Sequence, residues 1–340
     1  MNRTFVTVWG LVAALLLSVV SGAAVAGAQG ATPEPAEPGG NDVAGLRGAA
    51  EWLVSQQGDD GAFLGFTGES DPGVTIDAVI ALASAERAGV DTGTSIDDAV
   101  QYLASGDVAL VYAQSGVGQA AKLSLGLAAA GEDPADFASV QPLTLVENGQ
   151  DDETGIYGTG IYDHGLAMLA LVAGGLEVPQ SAIDALAETQ APNGGWGFDG
   201  VPDDAAVDSN TTALVIQALV ASGNADSDLV ASGMDYLATT VTGEGVAFDA
   251  QPGSVADSNS TALAAQAYLA AGEDASALLQ ALAGFQNPNG AFFYNPEDTS
   301  DNLFSTVQAV PALAGTPLPI TATPEAGDAT PVGLIHLRAA

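Results

Sequence analysis

Gln57-Gly-Asp-Asp-Gly61-Ala-Phe63, Gln190-Ala-Pro-Asn-Gly194-Gly-Trp196 and Gln286-Asn-Pro-Asn-Gly290-Ala-Phe292 are three writings of one pattern, Gln-x-x-x-Gly-x-aromatic. A pattern that returns at the same place in a longer unit means one supersecondary element used repeatedly. The stretch after each turn repeats as well. Asp208-Ser-Asn-Thr-Thr-Ala-Leu and Asp257-Ser-Asn-Ser-Thr-Ala-Leu open apolar, small-residue segments, and Asn302-Leu-Phe-Ser-Thr306 opens a looser third copy. Aligning on the threonine gives equivalent positions Thr75, Ala120, His164, Thr212, Thr261 and Thr306, spaced by about 44 to 49 residues, the period of a helix pair. Six units result.

Each unit reads as an outer helix, the motif turn, an acidic loop and an inner helix. Outer helices are predicted near Val43 to Gln56, Ser95 to Ala104, Asp136 to Val146, Gln180 to Thr189, Ser227 to Thr239 and Ala275 to Phe285, each with apolar residues at helical spacing on one face. Inner helices are predicted from Thr75, Gly118, Tyr162, Thr211, Ser260 and Ser305. They are rich in Ala and apolar nearly all round, as befits helices buried on every side. Asp208 and Asp257 supply oxygens for the unpaired amides at their starts, and Gly223 and Gly272 stop them. The glycine of the motif allows a tight turn, the glutamine bonds freed backbone groups, and Phe63, Trp196 and Phe292, with Tyr157 and Phe248 in degenerate copies, pack between units. An open solenoid would need polar capping repeats at its ends. The first and last units carry the full motif instead, so the expected fold class is all-α, a closed (α/α)6 toroid.

The ends of the chain read differently. Residues 1–28, with Arg3, an apolar run from Phe5 to Val20 and Ala26-Gly27-Ala28 before Gln29, resemble a cleaved export signal, with an uncleaved membrane anchor as the alternative. Residues 29–40 form a Pro-rich linker, 41–315 the toroid, and 316–340 a Pro/Thr-rich tail expected to be disordered. A secreted or extracellular monomer is the expectation, touching a membrane only through an uncleaved N-terminal segment.

The formal net charge of -37 comes with only five basic side chains, and Lys122 is the one lysine. Nucleic acid, polyphosphate and anionic lipid need clustered bases and are poor partners. The absence of cysteine excludes disulfides, thiolate nucleophiles and Cys-ligated zinc.

Paired helices joined by these turns, six units in all, resemble the superfamily of squalene and terpene cyclases and protein prenyltransferase β subunits. The segments Asn210-Thr-Thr-Ala-Leu-Val-Ile-Gln217 and Asn259-Ser-Thr-Ala-Leu-Ala-Ala-Gln266 are also similar to the helical domain of cobalamin carriers. The resemblance implies a toroid with a central cavity, but the catalytic signatures do not carry over. Protonating cyclases use Asp-x-Asp-Asp, where Ser95-Ile-Asp97-Asp98 lacks the first Asp. Ionising cyclases use Asp-Asp-x-x-Asp, where Asp203-Asp204-Ala-Ala-Val-Asp208 has one residue too many. Prenyltransferases need a zinc held by Asp, Cys and His.

In a toroid every inner helix starts at the same end, so Asp71, Asp163, His164, Asp208, Asn210, Asp257, Asn259 and Asp301 should gather at one rim, with Tyr162, Thr212 and Thr261 beside them. The catalytic candidates are Asp163, His164, Asp208 and Asp257; His164 reads either as a ligand contact or as a capping histidine bonded to a loop carbonyl. No cofactor is expected; such a rim suits a neutral polar head group or a cation such as calcium better than a diphosphate, which the carboxylates would repel. Three functions stay open: a non-catalytic binder holding a bulky hydrophobic or amphipathic small molecule in the cavity, a terpene cyclase-like enzyme using a mouth Asp as acid, or a cell-surface structural or interaction module.

Overall fold

The computed structural model describes residues 43–321, so the export signal and linker expected over 1–40, and most of the tail, lie outside the described residues. Thirteen helices and one two-residue β pair make up the described chain. The outer set is α1 (Val43–Ser55), α3 (Ser95–Ala104), α6 (Pro142–Glu147), α8 (Gln180–Thr189), α10 (Asp228–Thr240) and α12 (Ser276–Ala283). The inner set is α2 (Pro72–Arg87), α5 (Val117–Ala130), α7 (Ile161–Ala173), α9 (Ser209–Ala221), α11 (Ser258–Ala270) and α13 (Leu303–Leu313). A short α4 (Val108–Ala113) takes the place of the motif turn in the second unit, and β1 (Val246–Ala247) pairs antiparallel with β2 (Ala256–Asp257) in the fifth. None of these helices is long and apolar enough to cross a membrane.

Each inner helix packs on the next, α2 on α5, α5 on α7, α7 on α9, α9 on α11 and α11 on α13. The circle closes with α13 on both α2 and α1. The fold is an (α/α)6 toroid. Its inner helices are buried round most of their circumference; in α9, Thr211 to Leu219 are all buried.

The motif glutamine is the fastener between units. Gln57, Gln150, Gln190 and Gln286 each donate from Nε2 to the carbonyl of the motif glycine, Gly61, Gly155, Gly194 and Gly290, at 2.7–2.9 Å. The same nitrogen donates again to the start of the next outer helix: to Ser95 O, Ser181 Oγ, Leu229 O and, across the closure, Gly45 O. Gln286 to Gly45, at 2.8 Å, joins the sixth unit to the first. Each motif glycine is needed twice over. Gly290 has φ +97, and a Cβ there would run into the backbone carbonyl of Gly48 on α1.

Three expectations are corrected. The third outer helix starts at Pro142 rather than near Asp136, because the chain first turns through a Phe137–Val140 bridge with Ala138 at φ 51, and a proline is preorganised for the first helical position. The aromatic position of the fifth unit is held by buried Val246, while Phe248 is 49% exposed. The fabric of the toroid also runs past residue 315: Leu318 packs on the core and Ile320 is 1% exposed.

Candidate functional site

The repeated threonine ties each motif to its inner helix. Thr75, Thr212, Thr261 and Thr306 accept at Oγ1 from the backbone N–H of Phe63, Trp196, Val246 and Phe292, each at 2.9 Å. The hydroxyls donate in turn to the carbonyl four residues back, Asp71, Asp208, Asp257 and Asn302. His164 does the same job in the third unit: Nδ1 accepts from Tyr157 N at 3.0 Å, which leaves Nε2 to donate to Ala182 O at 3.0 Å. Fully buried, the ring is held neutral; burial pushes its pKa down to about 4 against the pull of the Ala182 carbonyl. His164 therefore stands in for the threonine of the other units: both ring nitrogens are engaged, one by the motif turn and one by a carbonyl of α8, and it makes no cap bond to the start of α7.

The aspartates at the inner-helix starts are also occupied. Asp71, Asp208 and Asp257 accept from the backbone N–H three residues on, Val74, Thr211 and Ser260, at 2.7–2.9 Å. The second oxygens of Asp208 and Asp257 take the hydroxyls of Thr211 and Ser260. Both are nearly fully buried, and burial raises their carboxyls above the ordinary range against the pull of those bonds. Asp163 accepts from Thr159 N and Oγ1. Asp301, expected among the caps, does not cap α13; Asn302 does, accepting from Ser305 N, while Asp301 is exposed and holds the side-chain amides of Asn287 and Asn289. Among the described residues no three carboxylates or imidazoles converge on a point that could hold a metal ion.

The side chains that do converge lie one half-turn further in. Two residues past the threonine position, the six inner helices contribute Asp77, Lys122, Leu166, Leu214, Leu263 and Gln308, and all six line one central cavity of about 80 Å3. Four of the six are apolar or neutral. The other two form an ion pair, Lys122 Nζ to Asp77 Oδ2 at 2.6 Å, each side chain about a fifth exposed. Burial alone would pull Lys122 down, but Asp77 and the phenols of Tyr112 and Tyr162 outweigh it and leave the ammonium above the ordinary lysine range. Burial raises Asp77 against the pull of Lys122. Tyr162, also on the cavity wall, is pushed up to about 12, chiefly by burial. Sequence reasoning missed Asp77 and Lys122. The signal was present, since two charges interrupt helices that are otherwise apolar all round.

Above the cavity the loops form an aromatic rim. Phe198 O, Phe248 O and Tyr294 O accept from the first amide of the preceding inner helix, Ile161, Ser209 and Ser258, at 2.8–2.9 Å, so each motif loop leans over its neighbour's helix start. Phe66 stacks on Phe304 at 3.8 Å, and Tyr162 stacks on Phe198 at 6.1 Å, linking the cavity wall to the rim. Phe66, Phe198 and Phe248 are 87%, 57% and 49% exposed. Leu64, Val111, Val201, Val241 and Val255, also exposed, lie on the same outer-to-inner connections. Asn210 and Asn259 stand at the register of Tyr162, and Asn259 Oδ1 is buried without a hydrogen-bond partner.

The opposite end of the ring is crossed by the chain after α13. Gly315, at φ +69, turns it; Thr316 N bonds Pro311 O at 3.0 Å, and Leu318 N donates to Gln217 Oε1 at 2.9 Å. Leu318 is itself part of the cavity wall.

The toroid is a known one. The type II terpene cyclase MstE from Scytonema, without ligand, matches over 81% of this chain and 98% of its own, with 17% identity and a TM-score of 0.58. An unsaturated glucuronyl hydrolase specific for heparin matches over 81% and 97%, with 12% identity and a TM-score of 0.61. The GH76A α-1,6-mannanase from Salegentibacter sp. HEL1_6 matches over 80% and 98%, with 11% identity and a TM-score of 0.61. These likenesses establish the terpenoid cyclase-like α/α-toroid fold and nothing finer. No protein-family model and no curated protein sequence matches the chain.

Proposed function

We propose that this chain is an exported binding protein whose toroid takes an amphipathic small molecule at the aromatic end of the ring. Its polar group points to Asp77, Lys122 and Tyr162, and its apolar body lies across Phe66, Phe198, Phe248 and Phe304. One observation carries the reading: a charged pair lining a cavity otherwise walled largely by leucine, isoleucine and valine. As packing, such a pair gains little, because the cost of desolvating two charges offsets their attraction and hydrophobic residues of similar volume would stabilise at least as well. A mostly apolar hollow with a few convergent polar groups is what small-molecule sites look like. The volume limits what enters. About 80 Å3 is the space of two to three waters, whereas sites for drug-sized ligands run from about 300 Å3 upward. A bulky body therefore lies on the rim, with only the head inside. The rim loops carry acids and no base, which disfavours a diphosphate and suits a neutral or cationic group.

The cyclase-like alternative draws support from the fold, since MstE, the glucuronyl hydrolase and the mannanase are all enzymes. Its acid would be Asp77 rather than Asp208 or Asp257, whose oxygens are taken by their own helix starts. Asp77 Oδ2 is engaged by the Lys122 ammonium at 2.6 Å, so we read it as half of a binding pair rather than as a free acid.

Native mass spectrometry of protein recovered from its own host tests the proposal, with a copurifying small molecule expected in the parent and lost in Lys122→Met and Phe198→Ser. Incubation with squalene, oxidosqualene and polyprenyl diphosphates tests the alternative: a cyclised product that disappears in Asp77→Asn would replace binding with catalysis.

A further inference from the structure

We infer that Leu318 is a stopper built into the chain, which closes the far end of the ring and sets how deep a ligand can enter from the aromatic end. The inference rests on the binding reading only in treating the cavity as a ligand's; the closure itself stands on separate observations.

The segment after α13 has the composition of a linker, Thr316-Pro-Leu-Pro-Ile320, yet it does not leave the domain. It turns inward at Gly315 and is fixed at three successive points: Thr316 N on Pro311 O, Leu318 N on Gln217 Oε1, and Ile320 buried in the core. Gln217 belongs to α9, two inner helices away from α13 around the ring, so the segment crosses the opening rather than following its edge. The glutamine is itself informative. It is fully buried on an apolar inner helix, and its other bond, from Nε2 to Ala213 O, is a long 3.4 Å. Its carbonyl oxygen would be an unpaired buried acceptor without the amide of a residue 101 positions away. The repeat places Gln266 at the equivalent position of α11, where it makes only a 3.4 Å bond to Gln308 O; of the pair, Gln217 is the one that holds the crossing segment.

Leu318 then stands at the lower level of the cavity, with Ile80, Leu125, Gln266 and Pro311, below the Asp77–Lys122 level. A leucine placed there limits the space to about 80 Å3 and leaves the aromatic end as the way in. A shorter side chain at 318 would deepen the pocket toward the range, on the order of 150 Å3, in which apolar cavities take up benzene or xenon.

Two measurements on the full chain test this without any amphiphile, so a parent that binds no amphiphile leaves the closure standing, and a failed closure leaves the rim reading standing. The first is hydrogen exchange. The Leu318 amide should be protected about a hundredfold or more over a free peptide of residues 314–321, and Gln217→Leu should lower that protection about tenfold or more while α9 and α13 keep theirs. The second is thermal unfolding with and without saturating benzene. Benzene should raise the midpoint of Leu318→Ala by about 2 °C or more and leave the parent unmoved. A Leu318 amide that exchanges in the parent as fast as in the free peptide would overturn the inference, and so would equal stabilisation of parent and Leu318→Ala by benzene.

Discussion

His164 shows how one position can change its chemistry while keeping its task. Threonine at this place offers an oxygen to the amide of the motif's aromatic position; histidine offers a nitrogen to the same amide and adds a bond to Ala182. The exchange has a consequence in acid. With its folded pKa lowered to about 4 from an ordinary 6.5, the buried ring binds fewer protons than the unfolded chain between those values, so stability is whole above about pH 6.5 and falls as pH drops toward 4. The loss between pH 7 and pH 5 from this residue is about 2 kcal/mol. His164→Thr should remove that part of the acid dependence, read as the difference in urea midpoints at the two pH values; an unchanged pH profile would mean that His164 is not buried neutral. Trp196 carries a larger share of packing. It is fully buried, with its backbone N–H on Thr212 and its indole N–H on Leu186 O at 2.8 Å. Trp196→Ala should cost about 3 to 5 kcal/mol, the usual range for deleting a buried large aromatic, checked by chemical unfolding.

At the scale of elements, the period and the caps were legible because they recur. Five of six outer helices and all six inner ones start within a few residues of their predicted places, since Asp208 and Asp257 mark their starts and Gly223 and Gly272 their stops. The third outer helix was misplaced because Asp136 to Val140 has apolar residues that a bridged turn uses as well as a helix would. The site was less legible for the opposite reason. Reading along the repeat favours what is shared: the aspartates at equivalent places proved to be caps, while Asp77 and Lys122, each present in one unit only, face the cavity. Phe66 and Phe198 escaped because they sit on loops outside the helical period, and Phe248 was assigned to packing between units, whereas it is half exposed. The glutamines, by contrast, had a backbone role foreseen from sequence but a reach that was not: one amide binds its own turn and the next unit's helix. Gln190→Ala and Gln286→Ala should each cost about 1 to 2 kcal/mol, for two bonds lost. Hydrogen exchange should place the loosening at α10 in the first variant and at α1 in the second; identical patterns would show that the glutamines do not fasten particular units together.

On the scale of the whole molecule, closure is what distinguishes this chain from a stack of helix pairs. A stack has two exposed ends that loosen first, and its stability is close to a sum of units and interfaces. A ring has no ends, so every unit is held on both sides. The sixth and first units meet through Gln286 on Gly45 O and through Gly290, whose backbone lies against Gly48 at a φ of +97. The approach leaves no room for a side chain, and the conformation is one that L residues adopt only with strain. Gly290→Ala should therefore part the sixth unit from α1 and turn the ring into an open stack whose ends are those two units. The expected loss is about 3 kcal/mol or more. Its distribution is the sharper test. Exchange should accelerate in α1, α12 and α13 while α7 and α9, on the far side of the ring, keep their protection; acceleration spread evenly over all six units would mean that the ring unfolds as one body and that its closure has no separate energy.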